Sequence, residues 1–252
     1  MDICIVTGAS SGMGREFVLQ LDAQQKYDEI WVLARRADRL MELSQQVSAK
    51  LVPMTADLST EEGLSVLTER LQTEKPKVKT LVNAAGYGKF GAFETLSLQD
   101  QLGMIDLNVK ALTAVTYEVL PYLQKGSEVY ELGSLSSFQP VPYIGVYGAT
   151  KAYVLSFSRA INVELKKHGI RVMAVCPGWV KTEFFNRAIQ DDTITYFNRY
   201  YTAQQVVKRA LRDMKKKKDV STVGFPVRMQ IRLVKLLPHR LVMKIWCKQQ
   251  KK

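Results

Sequence analysis

Short runs of aliphatic and β-branched residues recur along the chain, each followed by a turn and then by apolar positions at helical spacing. The runs lie at 3–7, 30–34, 51–54, 80–82, 128–132, 170–175 and 220–223. The first, Ile3-Cys4-Ile5-Val6-Thr7, is continuously apolar, which predicts a strand buried on both faces. Phe17, Val18 and Leu21 follow it at helical spacing, and further helices are predicted at 37–49, 60–73, 107–124, 145–167 and 203–215. Lys75-Pro76 stops the helix that ends at 73. Strand and helix alternate with no internal repeat and no low-complexity linker. The expected class is therefore α/β: a doubly wound parallel sheet of about seven strands, with right-handed crossovers and helices on both faces.

Two stretches depart from the alternation. Residues 183–201 are rich in aromatics (Phe184, Phe185, Tyr196, Phe197, Tyr200, Tyr201) and read as a substrate lid or as ordinary aromatic packing. Residues 225–252 read as a basic amphipathic extension to a main domain at 1–224. Val227, Ile231, Val234 and Leu236 approximate helical spacing, as do Leu241, Ile245 and Trp246, with Pro238 between the two sets.

Composition narrows the class. At 252 residues, 46% apolar and 24% charged, the chain fits one soluble domain. Cys4, Cys176 and Cys247 are widely spaced, as are His168 and His239, so no metal site and a reducing, cytoplasmic setting are expected. No apolar run approaches the ~18 residues of a membrane span. The first strand begins at Ile3, which leaves no room for a signal peptide. The net charge of +12 is concentrated: residues 208–252 hold fifteen Lys and Arg against Asp213 and Asp219, while the rest is near neutral. Basicity confined to one end is not a nucleic-acid footprint. It fits either peripheral contact with an anionic membrane or a solvated face on a helix packed against the domain.

The chemistry gathers at strand ends. Gly8-Ala9-Ser10-Ser11-Gly12-Met13-Gly14 joins the first strand to the first helix, an arrangement that offers backbone N–H groups to a phosphate. The second strand ends at Ala34-Arg35-Arg36 with no acid, which favours a ribose 2′-phosphate over a free 2′-hydroxyl, unless the arginines merely cap the strand. Asn83-Ala84-Ala85-Gly86 forms a small-residue corner, and Pro177-Gly178 makes a sharp turn after the sixth run. Tyr147 and Lys151 fall one turn apart on a predicted helix, so an ammonium stands beside a phenol. A neighbouring cation favours the phenolate and prepares the group for proton transfer. Ser134, thirteen residues before Tyr147, follows a strand and is placed to hydrogen-bond a substrate oxygen.

In this order and spacing, TGASSGMG (7–14), Asp57, NAAG (83–86), Asn108, Ser134, the Tyr147–Lys151 run and PGWVKT (177–182) resemble the short-chain dehydrogenase/reductase family over roughly residues 1–224. The resemblance implies a Rossmann-like fold and an NADP(H)-dependent oxidoreductase that interconverts a ketone and a secondary alcohol. It implies Tyr147 as acid and base, Lys151 lowering the Tyr147 pKa and holding the nicotinamide ribose, Ser134 orienting the substrate, and Asn108 holding a relay water. Gly8, Ser10, Ser11, Gly12, Met13 and Gly14 would wrap the diphosphate, and Arg35 would meet the 2′-phosphate. Asp57 and Leu58 would contact adenine, with Asn83, Ala84 and Gly86 toward its ribose. Pro177, Gly178, Val180 and Thr182 would hold the nicotinamide end. Homodimers or homotetramers through helices 107–124 and 145–167 are implied as well.

Glu131 departs from the pattern, standing where such proteins often carry a small amide. The aromatics Tyr87, Phe90, Phe93, Phe138, Tyr143, Phe184 and Phe185 point to an apolar substrate, steroid-like, bile-acid-like or acyl-derived. The competing readings are a non-catalytic nucleotide sensor on the same fold and a reductase of lipid carbonyls docked on a membrane surface.

Overall fold

The computed structural model describes every residue except 190, 192, 196 and 198. The apolar runs form strands β1 (Asp2–Thr7), β2 (Glu29–Ala34), β3 (Lys50–Thr55), β4 (Lys77–Asn83), β5 (Leu123–Leu132), β6 (Arg171–Val175) and β9 (Val220–Ser221). They pair in parallel in the order β3-β2-β1-β4-β5-β6-β9. The helices between them are α1 (Gly12–Asp22), α2 (Ala37–Ser44), α3 (Glu61–Glu74), α4 (Leu98–Ile105), α5 (Leu112–Val119), α6 (Gly145–Leu165) and α8 (Ala203–Lys215). A smaller parallel pair, β7 (Trp179–Lys181) and β8 (Tyr200–Thr202), encloses the short helix α7 (Phe184–Ala188). Helices α9 (Phe225–Leu236) and α10 (His239–Gln249) end the chain.

The period of two in a strand divides the core in half. Cys4, Val6, Ile30 and Val32 face α1, α2 and α8 through Phe17, Leu21, Leu40 and Val207. Ile3, Ile5, Trp31 and Leu33 face α3 and α5 through Leu67, Leu71, Val115 and Val119. Burying one such aliphatic or Phe side chain contributes about 1.5–3 kcal/mol. The two-faced apolar runs of the sequence are the consequence of this layering.

Three boundaries differ from expectation. The helix expected at 107–124 begins earlier, at α4, where Ser97 Oγ accepts from Asp100 N at 3.0 Å. It passes through a π-helical turn (Asp106–Ala111) into α5 and gives way at Pro121 to the first residue of β5. The helix expected at 37–49 stops at Ser44, because the Asp22 carboxylate takes the amides of Ser48 and Ala49. The strand expected at 220–223 pairs only over Val220–Ser221. The C-terminal segment folds into two helices on either side of Leu237 and Pro238, and Val227 and Ile231 enter the main core. Among the described residues no helix is long and apolar enough to cross a membrane.

Candidate active site

The chain leaves β1 and β4 toward opposite edges of the sheet, so their carboxyl ends open a crevice between them. Gly8 lies there with φ of 67°, and a Cβ on it would stand 2.7 Å from the Ala85 amide. The turn can therefore press on the end of β4 only as glycine. A Cβ on Gly14 would collide with the Gly8 carbonyl, so that glycine lets α1 start against the turn. Ser11, at the N-cap of α1, makes no side-chain cap bond. The first-turn N–H groups are thus left to a ligand, and the helix dipole favours an anion there. Gly8, Ser10, Ser11, Gly12, Met13 and Gly14 all line the resulting cleft of ≈ 370 Å³.

The far end of the cleft is cationic. Arg35 and Arg36 after β2, Arg187 from α7, and Asp57 and Leu58 after β3 line it. Arg35 lies 3.6 Å from Asp57 and is well exposed. Burial pushes the Asp57 carboxyl up, but hydrogen bonds from Ser59 and the charge of Arg35 outweigh it and hold the group below its ordinary value. Arg36 reaches back to Ser10 Oγ and pairs with Glu183 at 2.8 Å, while the Arg187 guanidinium stacks 3.4 Å from the centre of the Tyr87 ring. A diphosphate and a further phosphate match this donor set. Arg187 was invisible in the sequence, because only the fold of 183–201 brings it across from Arg35.

At the other end, Met13, Ala84, Gly86, Thr182 and Phe184 also border a second cavity, so the two adjoin along a shared wall. Its floor holds Ser134, Tyr147 and Lys151, and its rim Pro177, Gly178 and Val180. Ser134 lies two residues past β5 and caps a 3-10 turn (Leu135–Phe138), its Oγ accepting from Ser136 N. Ser137 Oγ accepts from Ser134 N and donates to the Lys151 carbonyl at 2.7 Å, fastening the strand end to α6. Ser137 is therefore a brace, and Ser134 is the serine that bears on the Tyr147 phenol and shares its cavity.

Burial raises the Tyr147 phenol to about 12, with the Ser134 hydrogen bond opposing. The expected lowering by Lys151 does not govern here. That ammonium is tied to Leu132 O at 2.6 Å and lies 5.9 Å from the ring centre, and burial pulls its own pKa down to about 8.

Asn83 and Asn108 lie beneath the cavities and line neither. Asn108, in the π turn, donates to Tyr87 O and Thr150 Oγ1 and accepts from Tyr87 N. Its amide holds the loop after β4 against α6. A Cβ on Gly86 would meet Asn108 Oδ1 at 2.8 Å and Lys151 Nζ at 3.4 Å, so Gly86 is the spacer between them. Asn83 turns away from the cleft and donates to Thr116 Oγ1 and Glu131 Oε1. Glu131 is fully buried, with Thr116 Oγ1 3.0 Å from Oε1 and no partner on Oε2. Burial lifts its carboxyl to about 8 against the pull of Asn83, Thr116 and Lys151.

Aromatic side chains wall the upper cavity. Phe90 and Phe184 flank the Tyr147 ring at 5.7 and 5.6 Å between centres, and Phe185 packs on Trp179. Of the other aromatics expected to line it, Phe93 is 73% exposed and Tyr87 belongs to the lower cleft. Tyr143 packs behind the wall, whereas Phe138 packs against the main core. Of the aromatics expected in a lid, Phe184, Phe185, Phe197 and Tyr200 form or adjoin this wall, Tyr201 is instead buried in the main core, and Tyr196 lies outside the described residues. Trp179 and the C-terminal Gln230, Trp246 and Gln249 also line the cavity, a role not read from the sequence. Trp246 Nε1 donates to Pro142 O at 3.0 Å. A tryptophan in a basic helix needs such a partner, and that was the available signal.

A family model described as short chain dehydrogenase matches residues 2–193. Sulfoacetaldehyde reductase 2 of Chromohalobacter salexigens is 37% identical over 192 residues, 73% of this chain and 74% of that one. A short-chain dehydrogenase from Sphingobium yanoikuyae, solved in complex with NADPH, superposes with a TM-score of 0.79 at 28% identity over 91% of each chain. The bulky-bulky ketone specific alcohol dehydrogenase from Comamonas testosteroni gives 0.73 at 25% identity, covering 88% of this chain and 86% of that one.

Proposed function

The chain belongs to the short-chain dehydrogenase family, and from that premise we propose that it interconverts an apolar ketone and its secondary alcohol with NADP(H). One observation carries the reading: Tyr147, Ser134 and Lys151 line one cavity, and it adjoins the glycine-lined cleft along a shared wall. NADP(H), when bound, supplies or accepts the hydride. Gly8, Gly12 and the start of α1 would hold its diphosphate, Arg35 with Arg36 and Arg187 its 2′-phosphate, and Thr182 and Val180 its nicotinamide end. Preference for the phosphorylated cofactor is supported by these three arginines at the cleft end, where β2 supplies no carboxylate.

Ser134 orients the substrate oxygen while Tyr147 gives it a proton, or removes one from the alcohol. A phenol raised to about 12 is fully protonated at neutral pH, which suits the reducing direction. Phe90, Trp179, Phe184, Phe185 and Trp246 exclude water and favour an apolar body, while Gln139, Gln230 and Gln249 offer amides to a polar end. A second copy of the chain belongs to the same proposal. Tyr117, Tyr153 and Val163 stand exposed on α5 and α6, a face suited to dimer contact.

The test is Tyr147→Phe. It should retain NADPH binding, read by fluorescence titration, and lose about 10²–10⁴-fold in turnover across a panel of ketones. Unchanged turnover with intact binding would refute the mechanism.

A further inference from the structure

The outer faces of α9 and α10 carry an arrangement that neither the fold nor the proposed reaction requires. The inner face of α9 is buried through Val227, Ile231 and Val234. On its opposite side Phe225, Leu233 and Leu236 stand exposed, Leu236 at 81% and Phe225 at 64%, with Met229 half-buried. Their spacing of four, four and three residues makes them one stripe. Arg228, Arg232 and Lys235 follow the same spacing one position away, giving a parallel basic stripe.

In α10, Val242 is buried and Trp246 points into the substrate cavity. Leu241 and Ile245 are exposed one turn apart, and Arg240, Lys244 and Lys248 run beside them. The same pattern is thus built twice. Residues 225–252 contain eight Lys and Arg and no Asp or Glu.

An exposed apolar stripe of this extent normally has a covering surface. A second copy of this chain fits poorly, because a two-fold contact sets the patch against itself. It would then oppose basic stripes with no acid of their own to answer them. Nucleic acid would satisfy the cations and leave the leucines in water. A lipid surface with anionic headgroups satisfies both: aliphatic side chains enter the headgroup–acyl boundary while flanking Arg and Lys meet phosphate.

We propose that α9 and α10 dock the protein peripherally on an anionic membrane. The consequence for the active site is direct. Ile245 is the chain neighbour of Trp246, and Gln249 is one turn further on, so the docked helix is itself a wall of the substrate cavity. A helix with its side chains is about 10–12 Å across. The cavity wall would then lie within about that distance of the lipid, a short path for an apolar substrate that partitions into membranes.

Co-sedimentation of the full-length protein with vesicles tests this without any substrate, so its outcome is independent of the proposed reaction. Binding is expected to vesicles of phosphatidylcholine with phosphatidylserine, to be absent with phosphatidylcholine alone, and to fall in high salt. Arg228→Gln with Arg232→Gln should weaken partitioning about fivefold for each charge removed. Leu233→Ser with Leu236→Ser should weaken it more than tenfold, although no charge changes. Arg232, Leu233 and Leu236 are exposed, Arg228 is half-buried, and none lines either cavity, so NADPH binding in solution should be kept in every variant and certifies folding. Failure of the native protein to sediment with anionic vesicles overturns the proposal. So does sedimentation that the leucine pair leaves unchanged, which would reduce the contact to charge alone. If instead the serine substitutions split a solution dimer and lipid binding is absent, the stripe belongs to a second copy.

Discussion

Glu131 and Lys151 are two buried ionisable groups held by opposite errands of the same low-dielectric interior. Burial favours the neutral form of each, raising the carboxyl and depressing the ammonium, both to about 8. The consequence for stability has a definite sign. Between the ordinary value of 4.5 and about 8, native Glu131 holds a proton that the unfolded chain has lost. Stability should therefore fall as pH rises across that window and level off beyond it. Lys151 acts in the opposite sense between about 8 and 10.5, where the unfolded chain binds the proton that the native state lacks. Glu131→Gln should flatten the decline below pH ~8, a difference of a few kcal/mol at most by linkage. Urea midpoints at several pH values measure it, and an unchanged slope would locate the titration elsewhere. The amide would keep the acceptor facing Asn83 and Thr116, so a gain at neutral pH is expected. The reading of Glu131 as an oddity sharpens into a physical description, a neutral acid in the strand beneath Lys151.

Between elements, the decisive contact is the meeting of the loop after β4 with the π turn and α6. A π turn inserts one extra residue per turn and re-aims a side chain that regular helix would send elsewhere. Here it turns Asn108 onto the Tyr87 backbone and Thr150, and Gly86 fills the remaining gap. Asn108 has all of these partners and is fully buried, so it cannot yield. Gly86→Ala must then push the loop into the cofactor cleft or displace the Lys151 ammonium. Overpacking strain of about 1–3 kcal/mol predicts a loss of roughly tenfold or more in NADPH affinity or kcat/KM, with circular dichroism unchanged. Native kinetics in that variant would mean that Lys151 need not occupy this place. Asn108 was noted in the sequence only through its place in a family pattern. Its spacing carried no sign that the helix would change period there.

Taken as one body, the protein closes its cofactor cleft from parts far apart in the chain: the turn after β1, Arg35 after β2, Asp57 after β3, and Arg187 in α7. A ligand that joins them stabilises the native state by about 2.7 kcal/mol at a hundredfold excess over Kd. NADPH should accordingly raise the melting temperature more than NADH at equal concentration. Arg35→Ala should bring the two shifts together, and a retained gap would transfer the 2′-phosphate contact to Arg36 or Arg187. The strand runs, the glycine turn, the arginines after β2 and the Ser134–Tyr147–Lys151 spacing were legible in the sequence because each is local. Periodicity, a turn and one helical pitch are properties of neighbouring residues, and the packing of the two sheet faces follows from them. Three features came only with tertiary structure: the pKa balance at Tyr147, the contacts of Glu131 with Asn83 and Thr116, and the folding of α9 and α10 beside the aromatic cavity with one face left bare. Desolvation and cross-chain contact belong to the space that distant segments enclose together, and no stretch of sequence contains that space alone.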